Sequence, residues 1–395
     1  MPDKKITDFP LQETCKTVFP KVLHFREMLH RYPELGWQEY ETTRRIREIL
    51  HDHGIESFST PMETGGVVDF QFHENRPYLL LRADIDALPI TDEKRVSYQS
   101  QNSGVCHACG HDVHTAVVVG VALCLQELSE KPPLNVRLVF QPAEEPIPSG
   151  APKMVEAGVL KNVKYALGMH VDPRFPVGTI VLTPGWVNMQ SIRLDLTLKG
   201  PGGHSSRPQD TADLLWIASR IIQDGYQLVY RTVNLLDSDV ILTFTEIEAR
   251  QGYNVIPRWL TMSGTLRLAD AEKKQRFLDK FRRYLHFLAE ESGCQIHLKI
   301  QEGAPAIYND PNLTEMLQKN LSRNFEIPVT LNTTYRTPGA DDFSYYSQAV
   351  PGVMVRFGTS GEEPAPGLHE GLFDVPQEVI RIAMMFFLHQ VYHLR

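Results

Sequence analysis

Residues 106–128 read CHACGHDVHTAVVVGVALCLQEL, a dense group of thiols, imidazoles and a carboxylate followed by an apolar run. The apolar part predicts a helix over His111 to Leu128. Short apolar runs on either side, Tyr78 to Leu81 and Val136 to Phe140, each predict a buried strand. Strands that alternate with helices in this way are typical of an α/β fold with a central sheet flanked by helices.

The pattern changes between about Asn188 and Gln301. Segments that alternate apolar and polar residues flank two amphipathic helices predicted over Thr211 to Tyr230 and Ala271 to Ser292. The resulting β-α-β-β-α-β order predicts a compact α+β insert with a four-stranded sheet and two helices. We therefore predict a first domain made of residues 1–187 and 303–395, interrupted by a second domain of residues 188–302.

Composition narrows the class of protein. The chain has 395 residues, 42% of them hydrophobic and 22% charged, as in an ordinary globular protein. The formal net charge of -8 comes without a basic patch, which argues against nucleic acid or a membrane surface as a partner and favours a small-molecule substrate. The polar start of the chain and the absence of an apolar membrane-spanning window lead us to expect a cytoplasmic protein.

The Cys-x-x-Cys pair formed by Cys106 and Cys109 allows three interpretations: a redox pair, half of a structural zinc site, or part of a catalytic metal site. A structural zinc site needs a second ligand pair at similar spacing, which the chain lacks. A redox pair would need a thioredoxin-sized context. Catalytic metal binding is favoured, and a Cys/His-rich helix entry without metal is the ordinary alternative.

Further candidate ligands follow several predicted strands. Because ligands of open α/β sheets gather at the carboxyl ends of strands, we expect these side chains to converge. Each is weak evidence alone, since a lone histidine or a Glu-Glu pair is usually structural or solvated. The residues are Asp84 and Asp86, the pair Glu144-Glu145, His170, and His369 in a Gly/Pro-rich loop.

Taken in order, the motifs resemble those of the M20 metallopeptidase family, in its amidohydrolase branch of aminoacylase, hippurate hydrolase and indoleacetyl-amino-acid hydrolase type. The resemblance spans nearly the whole chain. It rests on Arg26-x-x-Leu-His30-x-x-Pro33-Glu34, Ala83-Asp-Ile-Asp-Ala-Leu-Pro89, His107-Ala-Cys-Gly-His-Asp-x-His114, Gln141-Pro-Ala-Glu-Glu145, Gly200-x-Gly-Gly-His204, Asn254-Val-Ile-Pro257, Gly264-Thr-Leu-Arg267, Asp342-Phe-Ser344 and Leu368-His369.

The resemblance implies a site with two divalent metal ions, for which zinc, manganese, cobalt and nickel are all candidates. It assigns Glu144 as the catalytic carboxylate and Asp86 as the residue that orients a metal ligand. Asp84 and Cys106 receive no role. The implied metal ligands are Cys109, His111, Glu145, His170 and His369.

For the insert, the resemblance implies a lid that mediates homodimer formation. His204 would help to polarise the scissile carbonyl across the dimer, while Asn254 and Arg267 would hold the substrate carboxylate. An arginine suits this task because its planar fork matches a carboxylate.

The implied reaction is metal-assisted hydrolysis of an N-acyl amino acid, such as an N-acetyl or N-benzoyl derivative, to a carboxylate and a free amino acid. Glu144 would take a proton from water and return it to the leaving amine. A dipeptidase or carboxypeptidase with the same site is the alternative. A non-catalytic or redox module that binds metal through Cys106 and Cys109 is a third hypothesis, from a different class.

Overall fold

The computed structural model describes residues 9–234, 240–325, 327–361 and 365–395. The chain forms two compact units. Unit 1 contains Met1–Val187, Tyr308–Arg336 and Asp342–Arg395, and unit 2 contains Asn188–Ile307 and Thr337–Asp341. The predicted fold class, a mixed α/β sheet with helices plus an α+β part with a four-stranded sheet, is confirmed.

The elements follow in chain order. Unit 1 begins with α1 (Phe9–Arg31), α2 (Tyr40–His51), β1 (Phe58–Ser59), β2 (Gly66–Phe70), β3 (Tyr78–Asp84), α3 (His111–Glu127), β4 (Asn135–Gln141), α4 (Ala151–Glu156), β5 (Val163–Pro176), β6 (Thr179–Val181) and β7 (Gly185–Trp186). Unit 2 contains β8 (Gln190–Lys199), β9 (Gly203–His204), a 3₁₀ turn (Pro208–Asp210), α5 (Leu214–Tyr230), β10 (Val240–Glu248), β11 (Val255–Ile256), β12 (Trp259–Leu268), α6 (Ala271–Ser292) and β13 (Gln295–Glu302). Unit 1 ends with β14 (Tyr308–Asn309), α7 (Pro311–Asn324), β15 (Thr330–Asn332), α8 (Ser344–Ala349), β16 (Gly352–Ser360) and α9 (Gln377–His393).

The large sheet of unit 1 has the strand order β1-β2-β4-β3-β5-β16-β6-β15. Strand β3 pairs in parallel with β4 and β5, and β5 pairs in parallel with β16. Because these four central strands run the same way, their carboxyl ends lie at one edge of the sheet. In the register between β3 and β4, Asp84 lies opposite Gln141, so the segments that follow both strands leave the sheet side by side.

Helix α3 forms the centre of the hydrophobic core of unit 1. Every residue from His111 to Leu125 is buried, and α1 and α9 pack against the helix. A helix that is apolar on all sides is stable only when it is covered in this way. Its amino-terminal end therefore has a fixed position beside the sheet. None of the described helices combines the length and the apolar character that a membrane crossing requires.

Strand β5 is longer than the sequence pattern predicts. The apolar run Tyr165 to Met169 predicts a strand that ends at Met169, with His170 after it, but the strand continues to Pro176. The extension is stabilised from one side, because β16 stays paired beyond this point with Arg356 opposite His170, whereas the pairing with β3 stops at Gly168. His170 thus lies inside a strand, at the place where one neighbouring strand has ended.

Unit 2 is built around an antiparallel sheet with the order β10-β12-β8-β13 and the helices α5 and α6. Helix α5 begins at Leu214, three residues after the predicted start, because the Asp213 carboxylate accepts hydrogen bonds from the first free backbone N–H groups of the helix. The alternating pattern from Asp239 to Glu246 predicts a strand that corresponds to β10, and its first residue, Asp239, lies outside the described residues.

Candidate metal centre

The amino-terminal end of α3 brings two candidate ligands together through a tight turn at Gly110. Gly110 has a φ of 84°, and a Cβ at this position would lie 2.5 Å from Cγ2 of Val171. Only glycine meets both conditions without strain. The backbone just before the turn is also fixed, because Cys106 and Leu88 exchange backbone hydrogen bonds of 3.1 and 3.0 Å. The segment after β3 is thereby held against the segment that carries Cys109 and His111.

Two groups of potential ligand atoms meet at the Cys109 sulfur. In the first, Cys109, His111 and His170 offer atoms that all lie within 4.8 Å of one another, and the Cys109 Sγ is 3.5 Å from the His170 Nε2. In the second, the same holds for Cys109, Glu145 and His369. The structure therefore brings all five predicted metal ligands together, with the thiol common to both groups.

The His369 loop reaches this place through its own backbone. The His369 N–H donates a 2.8 Å hydrogen bond to the Ala108 carbonyl, next to Cys109. The residue has a φ of 66°, which is uncommon outside glycine. Its Nε2 lies 3.5 Å from Oε1 of Glu145, with about half of the His369 side chain exposed. The second group is therefore the more open of the two.

Asp86 makes hydrogen bonds to one candidate ligand from each group. Its Oδ1 and its backbone oxygen each lie 3.0 Å from the His111 Nδ1, and its Oδ2 accepts a 3.0 Å hydrogen bond from the Glu145 N–H. Since a backbone carbonyl can only accept, the His111 Nδ1 carries a proton and Nε2 is the atom left to act as a ligand.

Unsatisfied polar atoms test whether a metal ion fits here. Among the described residues, the buried His111 Nε2 and Glu145 Oε1 have no hydrogen-bond partner. Buried polar atoms are normally paired, so one unpaired atom in each of the two ligand groups indicates that a further group binds there. Thiolate, imidazole and carboxylate together suit a borderline divalent ion. The residues present therefore fit a divalent metal cofactor.

Burial and charge shift the ionisation of these groups strongly. Burial raises the pKa of the Cys109 thiol well above the usual value for cysteine. It also lowers the pKa of His170 well below the usual value for histidine. Burial would also lower the pKa of His111, but the Asp84 carboxylate and the Cys109 sulfur raise it well above the usual value. Since a metal ligand must be deprotonated, a bound cation would stabilise the Cys109 thiolate and neutral His111.

Asp84 and His114 have a role that the sequence did not reveal. The His114 Nε2 accepts a 3.1 Å hydrogen bond from the Val171 N–H, so its proton is on Nδ1, which lies 2.6 Å from Oδ1 of Asp84. The other oxygen of Asp84 accepts a 2.5 Å hydrogen bond from Arg82. Both His114 nitrogens are therefore occupied, and His114 supports the backbone next to His170 instead of binding metal.

We expect Asp84→Asn to lower the free energy of unfolding by about 2–3 kcal/mol, because the buried Arg82 guanidinium loses one of its two carboxylate partners and keeps only Asp342. Urea unfolding of metal-saturated protein measures the change. The control is Asp69→Asn, which breaks the partly exposed pair with Arg137 and should cost about 1 kcal/mol or less. Equal losses in the two variants would contradict this view of Asp84.

The remaining candidate residues lie in two places. Glu144, in unit 1, has a carboxylate oxygen within 4.8 Å of ligand atoms of His111 and Glu145. In unit 2, His204 and Asn254 are neighbours, since the Ser205 N–H donates a 3.0 Å hydrogen bond to the Asn254 carbonyl. Arg267 lies on β12 and donates a 2.9 Å hydrogen bond to the Pro338 carbonyl.

Cys106 is not part of either ligand group. Its thiol is buried, and burial raises its pKa to about 11. Both thiols of the Cys-x-x-Cys pair are free, and Cys106 is absent from every candidate ligand group among the described residues. The local role of Cys106 is the backbone pairing with Leu88.

Comparison with known proteins identifies the family to which the chain belongs. Residues 80–390 match the model described as peptidase family M20/M25/M40. The chain is 34% identical over 375 residues to an N-acetylcysteine deacetylase of Bacillus subtilis, covering 94% of this chain and 96% of that protein. It is 30% identical over 384 residues to thermostable carboxypeptidase 2 of Saccharolobus solfataricus, covering 95% of each.

A solved structure agrees with this assignment. The crystal structure of a dinuclear metal-binding peptidase of the M20 family from Bacillus subtilis matches with a TM-score of 0.82 and 31% identity, covering 95% of this chain and 98% of that one. The resemblance noted from the motifs is thus confirmed. The chain belongs to peptidase family M20/M25/M40, and it is a metal-dependent hydrolase that acts on amide bonds.

Proposed function

We propose that this enzyme hydrolyses N-acyl amino acids to a carboxylate and a free amino acid. The observation that carries the proposal is the pair of ligand groups that meet at Cys109, with the Glu144 carboxylate beside them. The similarity to an N-acetylcysteine deacetylase supports an N-acyl substrate. N-acetyl and N-benzoyl amino acids are the first candidates.

We propose that the two groups hold two divalent ions, with zinc, manganese, cobalt and nickel as candidates. Cys109, His111 and His170 would hold one ion, and Cys109, Glu145 and His369 the other. When bound, such ions polarise a carbonyl oxygen and lower the pKa of water. The Asp86 carboxylate keeps the His111 Nε2 and the Glu145 backbone in place.

Glu144 is the proposed proton carrier. It follows the end of β4, and its side chain is only partly buried, so a carboxylate oxygen can reach a substrate near His111 and Glu145. During hydrolysis it takes a proton from the attacking water and passes that proton to the amine nitrogen as the C–N bond breaks. The second proton of the water stays on the acyl product and is lost when that product ionises to a carboxylate, and the amine takes it up to become an ammonium.

His204 has the tautomer that a carbonyl polariser requires. Its Nδ1 accepts a 3.1 Å hydrogen bond from the Ser206 N–H, so the neutral ring carries its proton on Nε2 and can donate it to a carbonyl oxygen.

We propose that Asn254 and Arg267 bind the substrate carboxylate. Residues 188–302 would act as the lid and homodimer contact, and residues 1–187 and 303–395 as the catalytic domain of a cytoplasmic enzyme.

A carboxypeptidase or dipeptidase is the second candidate function, because a thermostable carboxypeptidase is 30% identical to this chain. Amino acid release from N-acetyl-methionine and from glycyl-methionine, at equal metal loading, separates the two candidates. We expect a kcat/KM at least about tenfold higher for the N-acetyl compound, since a pocket shaped for an uncharged acyl group must desolvate the dipeptide ammonium. Preference for the dipeptide would favour the peptidase.

A further inference from the structure

Ala143, the residue directly before Glu144, has an unusual backbone conformation. Its φ is 53°, in the left-handed region, and it is fully buried. A residue with a Cβ adopts this region only when surrounding contacts favour it. Any change of φ here would redirect the Glu144 backbone, which follows at once. The contacts that hold Ala143 therefore bear on where the proposed proton carrier points.

A carboxylate from a distant part of the chain provides one of these contacts. The Ala143 N–H donates a 2.7 Å hydrogen bond to Oε1 of Glu39, whose side chain is fully buried. Oε2 of Glu39 accepts a 2.9 Å hydrogen bond from the Thr64 hydroxyl, which fixes the carboxylate in turn. On the other side, the Ala143 carbonyl accepts a 2.7 Å hydrogen bond from the Gly150 N–H.

The simplest structural explanation, that Glu39 caps its own helix, does not apply. Glu39 occupies the N-cap position of α2, yet its side chain makes no capping hydrogen bond to that helix. Capping side chains normally accept from the second or third N–H of the helix. Here the carboxylate contacts Ala143 and Thr64 instead. Its placement is thus explained by the loop that leads to Glu144.

We propose that Glu39 is a positioning residue for catalysis: its carboxyl group holds Ala143 in the left-handed conformation and so aims the Glu144 carboxylate. The proposal rests on the proposed role of Glu144. Only an acceptor oxygen is required, so the clamp works with either protonation state. Burial raises the pKa of Glu39 to about 7, and a protonated carboxyl group still offers its carbonyl oxygen to Ala143.

Two substitutions of similar side-chain volume distinguish the role of the Glu39 acceptor oxygen from the role of side-chain packing. Glu39→Gln keeps an oxygen for the Ala143 N–H, and the Thr64 hydroxyl can turn to accept from the new amide. Glu39→Met fills the cavity without an acceptor. We expect the methionine variant to lose about 10–100-fold in kcat with KM and metal content unchanged, and the glutamine variant to stay within about threefold of wild type.

A second change tests the conformational step directly. Glycine adopts positive φ without strain. Adding Ala143→Gly to the Glu39→Met variant should therefore raise its kcat at least about fivefold. Amide exchange at Ala143 gives a readout that needs no substrate: protection should fall in Glu39→Met and persist in Glu39→Gln. Glu48→Met, at an exposed position on the same helix, is the matched control and should change neither quantity.

The proposal is overturned if Glu39→Gln loses kcat as far as Glu39→Met, if Glu39→Met keeps wild-type kcat, or if Ala143 exchange is the same in both variants. If Glu39→Met does not fold, Glu39→Gln decides: retained kcat and exchange protection support the clamp, and a loss beyond about tenfold refutes it. A wild-type enzyme that releases no amino acid from any N-acyl compound would instead refute the proposed function.

Discussion

Glu144→Gln is expected to lower kcat for N-acyl amino acid hydrolysis by about 10²–10⁴-fold, because an amide cannot accept the proton that the water must lose. The change is nearly isosteric, so the backbone after Ala143 and the ligand groups at Cys109 should persist. Steady-state kinetics measure the loss, and elemental analysis should show the same metal content as in the wild type.

The matched control for this variant is Glu156→Gln, which changes an exposed carboxylate at the end of the short helix α4. It should keep wild-type kcat and KM. If Glu144→Gln retains more than about a tenth of the wild-type kcat at full metal loading, Glu144 is not the proton carrier, and another group must supply this step.

Cys109→Ala is expected to have the largest effect on metal content, because Cys109 belongs to both ligand groups. Removing it weakens both sites at once, so metal bound after dialysis should fall from about two ions per chain to well under one. His369→Ala removes a ligand from one group only and should lose about one ion. Elemental analysis of dialysed protein gives both values.

Cys106→Ala distinguishes a metal site that uses only the Cys109 thiol from one that uses both thiols. Cys106 lies outside the ligand groups found among the described residues, so the variant should retain wild-type metal content. In the wild type, metal should protect one thiol of the pair from titration. An equal loss of metal in the Cys106 and Cys109 variants, or a reversible disulfide between them, would contradict the proposed ligand set and favour the redox hypothesis.

Much of the fold follows from local pattern. The run from Ala116 to Leu125 is apolar on all faces, and the structure buries it within helix α3. The alternating segments of unit 2 form strands whose burial alternates, and the order of elements is the one that the pattern predicts. Strand length was harder to predict, because the continuation of β5 past His170 depends on pairing with β16, a strand from the far end of the chain.

Candidate ligands could be proposed from the sequence because four of them belong to recognisable motifs and His170 follows a short apolar run. Their supporting contacts could not. The hydrogen bond between Glu39 and Ala143 joins residues 104 positions apart, and the one between His114 and Val171 joins residues 57 positions apart. Neither pair has a spacing that a helix or strand period would reveal. The left-handed φ of Ala143 also has no signal in the sequence, since alanine rarely adopts it.

The most direct test of the central claim is release of free amino acid from N-acetyl, N-benzoyl and indoleacetyl amino acids by protein with measured metal content, before and after chelation. We predict about two divalent ions per chain, release from at least one N-acyl class, loss of release on chelation, and recovery with zinc, manganese, cobalt or nickel. Release that persists in fully chelated protein, or a metal-loaded protein that cleaves dipeptides and no N-acyl amino acid, would contradict the claim.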